Sequence, residues 1–183
     1  MENKDLLKFP EKLKFNLSGI DIIRLHDHGQ AIFLLLTTEE KTSQVESLFV
    51  VKELLRTKVL NFQLTDFMFL KQPNFHGPYL PASIGHKDYL NINIEDFFNK
   101  YTEILSKKRE LTPKIDGNKE KNLSKKIDSI ISDEIDIFYL KKKLSKKAKN
   151  FEHEWSHALT EYHEFLLIDK TQGRVFCFIL TYD

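Results

Sequence analysis

At 183 residues, 41% of them hydrophobic and 30% charged, the chain is long enough to bury one core and too rich in apolar residues to be disordered throughout. No apolar run approaches the roughly 20 residues needed to cross a bilayer. Residues 1–7 lack the basic start and apolar centre of a signal peptide, so a cytoplasmic protein without membrane contact is expected. Cys177 is the single cysteine, which excludes an intramolecular disulfide and a cysteine-based zinc cluster.

In chain order, the first predicted element is a β-hairpin over residues 19–36, two apolar runs around the turn Asp27-His28-Gly29-Gln30. Ser43 and Glu46 form a capping-box pattern before a helix with an apolar stripe through Val45, Leu48, Phe49, Val51 and Leu55, ending near Thr57. Residues 59–70 are β-branched and aromatic, the pattern of one or two further strands. Pro73, Gly77, Pro78, Pro81 and Gly85 then predict a long ordered loop over residues 71–91. Asn93 can cap a helix whose Ile94, Phe97, Phe98, Tyr101, Ile104 and Leu105 share one face.

Residues 107–122, with Pro113, Gly117 and mixed charges, predict a flexible linker within a single domain. Ile127, Ile130 and Ile131 mark a helix, and the steps of three and four through Leu140, Leu144, Ala148, Phe151, Trp155, Leu159 and Tyr162 predict a longer one. A closing hairpin is expected from residues 164–169 and 174–180 around Lys170-Thr171-Gln172-Gly173. Strands at both ends with helices between them predict an α+β protein, an antiparallel sheet of N- and C-terminal hairpins with helices packed on one face.

Several residues carry candidate chemistry. His153, Glu154 and His157 have HExxH spacing: one turn apart on a helix, two histidines can share zinc while the glutamate activates its bound water. With His163, this stretch resembles the three-histidine motif of metzincins and of YbeY-type zinc hydrolases. That resemblance implies zinc on His153, His157 and His163 with Glu154 catalytic. Thr160 stands where the family has the glycine that ends its helix, and both methionines precede the motif. Glu161 is a possible third ligand by spacing. His26-Asp27-His28 also resembles a metal-binding pair, but turn chemistry explains it more simply.

A second set of residues concerns partners. His76, Tyr79, His86 and Tyr89 in the Pro/Gly-rich loop are expected to form a binding lip. Fourteen basic against seven acidic residues over positions 106–150 leave the rest of the chain net negative. Lys141, Lys142, Lys143, Lys146 and Lys147 are the densest part of that run, suited to a protein partner or to nonspecific contact with nucleic-acid phosphates. Cys177, among strand-type apolar residues, is expected to be a small buried hydrophobe. Residues 161–183 resemble the closing hairpin of bacterial immunity proteins, cytosolic inhibitors of interbacterial toxins. That resemblance implies a non-catalytic protein that occludes a toxin domain. A protein-binding inhibitor without cofactor and a zinc hydrolase are therefore the two expected functions.

Overall fold

A computed structural model describes residues 12–65, 68–71, 74–107, 115–144 and 159–182. β1 (Asn16–His26) and β2 (Gly29–Thr37) form the first hairpin, with Asp27 and His28 as its turn. Gly29 is required there because a Cβ would lie 2.7 Å from both the His26 ring and the Tyr182 ring. The His28 backbone N–H donates to His26 Nδ1 at 3.1 Å, so the His26–His28 pair serves the turn, as turn chemistry predicts. α1 (Ser47–Thr57) begins one residue after Glu46, with no side-chain cap; Ser47 instead hydrogen-bonds through its hydroxyl to Asp136. β3 (Phe62–Thr65) and β4 (Met68–Lys71) form a separate two-stranded sheet, from which Phe62 also bridges to His76.

The segment predicted as loop contains two 3-10 turns, Pro81–Ser83 and His86–Asp88, and runs into β5 (Tyr89–Ile92). α2 (Ile94–Ser106) has the expected Asn93 cap, whose side chain accepts from the Asp96 N–H at 2.7 Å. Part of the predicted linker is helical: α3 (Gly117–Asp128) is capped by Asp116 and holds Leu123 and Ile127 inward. β6 (Asp136–Leu140), β7 (Glu161–Asp169) and β8 (Arg174–Tyr182) are the remaining strands among the described residues. Leu140 and Tyr162, predicted on one long helix, both lie on strands. The β-branched and aromatic run Ile137-Phe138-Tyr139 pairs on both sides, and that pairing outweighs the helical spacing.

The main sheet has six strands in the order β1-β2-β8-β7-β6-β5, each neighbour antiparallel. The expected α+β class and the sheet built from the terminal hairpins are both present. The helices cover both faces, because the central strands bury successive residues, such as Phe165 through Ile168 on β7, and so leave two apolar surfaces. On one face, Ile32, Leu34, Leu166, Cys177 and Ile179 pack against Val50, Val51 and Leu54 of α1 and against the chain around Tyr79 and Tyr89. On the other, Phe33, Phe165, Phe178 and Leu180 pack against Phe97 and Tyr101 of α2 and Leu123 and Ile127 of α3.

That second face carries a ladder of rings across four strands. Phe33 stacks on Phe178 at 4.7 Å, Phe178 on Phe165 at 5.8 Å, and Phe165 meets Tyr139 at 5.0 Å. Such pairs add about 0.5–1.5 kcal/mol each beyond the area they bury. A lysine sits over each end, Lys126 over Phe33 and Lys100 over Tyr139.

Candidate functional site

Strand alternation places Tyr162, Glu164, Leu166 and Ile168 on the α1 face of β7. Glu164 is fully buried there, flanked across the sheet by Ile179 of β8. An ionised carboxylate in such surroundings must be paired. His76 Nε2 lies 2.9 Å from Glu164 Oε2, Tyr162 donates its hydroxyl to Oε2 at 2.6 Å, and Tyr89 donates to Oε1 at 2.6 Å. Burial pushes the Glu164 carboxyl up, but the His76 charge and the three hydrogen bonds outweigh it and hold the group below the usual carboxylate range. Burial, reinforced by Glu164, raises the Tyr89 and Tyr162 hydroxyls and the Cys177 thiol well above their ordinary values. Cys177 is thus the buried, unreactive side chain expected of it.

The local chain around His76 explains how it reaches the sheet. His76 and Tyr79 exchange two backbone hydrogen bonds, and the Gly77 N–H donates to the Phe62 carbonyl at 2.9 Å. Gly77 adopts φ +55, and a Cβ there would stand 2.7 Å from the Tyr162 ring. Only glycine allows this turn to lie flat on Tyr162. Tyr79 meets Tyr162 edge-on at 5.7 Å and donates its hydroxyl to the Lys142 carbonyl. His76, Tyr79 and Tyr89, predicted as a binding lip, are therefore directed inward and buried, since Glu164 and the Lys142 carbonyl claim their polar atoms. His86, in the second 3-10 turn, is half-buried.

On the α2 face, His163 Nδ1 is 3.1 Å from the Tyr139 hydroxyl and Nε2 is 3.2 Å from Glu161, which also meets Lys107 at 3.0 Å. Burial, with help from Glu103 and Glu161, raises the Tyr139 hydroxyl. Of the predicted metal ligands, His163 is on a strand, not a helix, and both its ring nitrogens are engaged within the chain. His153, Glu154 and His157 lie outside the described residues, as do Lys146 and Lys147. Among the described residues no group of three or more His, Cys, Asp or Glu side chains is placed to hold a metal ion.

The basic residues do not form one face among the described residues. Lys141 and Lys143 are exposed beside β5, while Lys142 donates to the Ser83 carbonyl at 3.0 Å. At the opposite edge of the sheet, Lys126 of α3 meets Asp21 of β1 at 2.8 Å and Lys119 reaches the Leu25 carbonyl. A shallow open cleft of about 490 Å³ lies beside the start of α2, but its Asp136 is already bound to Ser47 and Lys170. Among the described residues, the exposed large apolar side chains are Ile20 and Ile22 of β1, 48% and 39% exposed, Leu48 of α1 and Leu90 of β5; only the β1 pair shares one strand.

Glu164 and Tyr162 were not singled out from the sequence. Their signal was a charged residue in register with Leu166 and Ile168 on an otherwise apolar strand face. No family description, no curated protein and no solved structure compared with the chain matches it. Among the described residues, no helix is long and apolar enough to cross a membrane.

Proposed function

We propose that this chain is a protein-binding module that inhibits by occluding a protein partner, and in particular an immunity-type inhibitor of a toxin domain. The single observation behind this reading is β1: an eleven-residue edge strand presenting Ile20 and Ile22 to solvent, with no strand beyond it among the described residues. Exposed apolar edges are costly unless a partner covers them. The most strongly engaged titratable groups, Glu164 with His76 and the two tyrosines, are sealed from solvent and hold the chain around Gly77 against the sheet, a structural role. The zinc-hydrolase reading draws less support, since its third histidine is committed to Tyr139 and Glu161.

Purification from the native cell should recover a stoichiometric protein partner whose binding slows amide exchange in β1. Ile20→Lys with Ile22→Lys should weaken that complex at least about tenfold, while Leu90→Lys, at the far edge, should leave it intact. A complex indifferent to the β1 pair would sink the reading.

A further inference from the structure

The edge at β1 is chemically two-sided. Between register shifts at its two ends, residues 19–24 pair regularly with β2 and offer the same regular backbone outward. Ile20 and Ile22 lie on the α1 face, opposite Leu34 and Ile32. On the other face, α3 lies beside β1 and turns Lys119 and Lys126 toward it. Helical spacing puts the acids of the same helix, Glu120 and Asp128, away from Lys119 and Lys126, and both are exposed. Lys125 is exposed next to Lys126. A strand added beside β1 thus meets an isoleucine pair on one face and, on the other, Asp21 and Ile23 flanked by Lys119, Lys125 and Lys126, three cations against the one acid that Lys126 pairs with.

Resting on the protein-binding reading, we infer that the occupant of this edge is an extended segment of another protein, apolar at alternate positions and acidic at those between. It adds as a further strand: backbone hydrogen bonds supply affinity, and the alternating side chains supply selection. A second copy of this chain is disfavoured. Antiparallel pairing of two β1 edges about a two-fold axis normal to the sheet puts both α3 helices on one side, lysines against lysines.

The probes are two short synthetic peptides, one alternating valine with glutamate and one alternating valine with lysine, measured by fluorescence anisotropy and by hydrogen exchange. The glutamate peptide should bind and protect residues 19–24, more weakly as salt rises, and the lysine peptide should not. Lys119→Glu with Lys126→Glu should lower affinity for the glutamate peptide at least about tenfold and reverse the preference. A thermal unfolding curve like that of the parent chain shows that this variant folds.

Equal binding of both peptides, or protection confined to other residues, overturns the inference. So does slow exchange of residues 19–24 in the free monomer, which assigns the edge to this chain's own segments. A concentration-dependent dimer protecting residues 19–24 assigns it to a second copy. If a native partner is lost with Ile20→Lys and Ile22→Lys but unaffected by the lysine reversal, the module stands and its acidic partner falls. If neither variant affects it, the module reading falls as well.

Discussion

Glu164 and Phe165 are neighbours on β7, yet they stabilise opposite faces of the sheet by different physics. The Phe165 face is a stack of rings from four strands under α2 and α3, where contact is apolar and tolerant of small rotations. The Glu164 face centres on one buried carboxylate taking hydrogen bonds from His76, Tyr89 and Tyr162, each of which has to reach a particular oxygen. A ring ladder needs volume, whereas a buried carboxylate needs complete hydrogen bonding. The first can be repacked; the second is lost when any member leaves.

The largest effect expected from that contrast comes from Glu164→Leu. It keeps an apolar bulk of similar size but removes the carboxylate that Tyr162, His76 and Tyr89 share, leaving the last two only a 3.4 Å contact with each other, and should cost about 3–5 kcal/mol in urea unfolding. Phe165→Leu, on the other face, keeps most of the volume but gives up the ring pairs with Phe178 and Tyr139, and should cost about 2–3 kcal/mol. Equal losses would mean that the two faces do not differ in kind. Next is Gly77→Ala, which forces a side chain into a φ of +55 and against the Tyr162 ring; a loss of about 2–3 kcal/mol is expected by the same measurement.

Acid provides a subtler test. The Glu164 carboxyl is lowered in the folded protein, so its contribution is present above its ordinary value of 4.5 and is lost as pH falls through the lower folded value. Urea midpoints taken from about pH 6 down to about pH 3 should therefore decline, and Glu164→Gln should flatten part of the decline. Glu53, Asp169 and Glu40 are also lowered and account for the slope that remains. An unchanged slope in Glu164→Gln would remove the buried carboxylate from the acid response. The smallest effect belongs to the rim of the ladder: Lys100→Ala removes a cation above the Tyr139 ring and should cost about 0.5–1 kcal/mol.

The two faces were also unequally legible. Three of the four ladder strands and the α2 face above them follow from the two terminal hairpins and from the stripe of α2 with its Asn93 cap, runs of consecutive residues; Tyr139 of β6 does not. The buried network is assembled from His76, Tyr89, Tyr162 and Glu164, which no local spacing connects. His76 and Tyr89 were recognised as notable but placed on the surface, because a Pro/Gly-rich loop ordinarily lies there. The spacing from Leu144 draws Leu140, the last residue of β6, into a helical stripe, and the pairing of β6 with β5 and β7 decides otherwise. The exposed edge was legible as half of a hairpin. Its position at the rim depends on β8 taking the other side of β2.

That last pairing also bears on how the chain reaches its fold. β2 is joined to β8, with Gln30 opposite Thr181, so the sheet closes only when segments from far apart in the chain meet. The loop-closure entropy for that contact must be overcome before most of the buried surface is gained, which is the signature of slow, nonlocal folding. Until β8 arrives, the apolar run from Ala31 to Leu36 has an open strand edge of its own. A nascent β1–β2 hairpin therefore exposes two strand edges where the finished sheet leaves it one, the kind of apolar edge that invites wrong pairing until the C-terminal hairpin covers it.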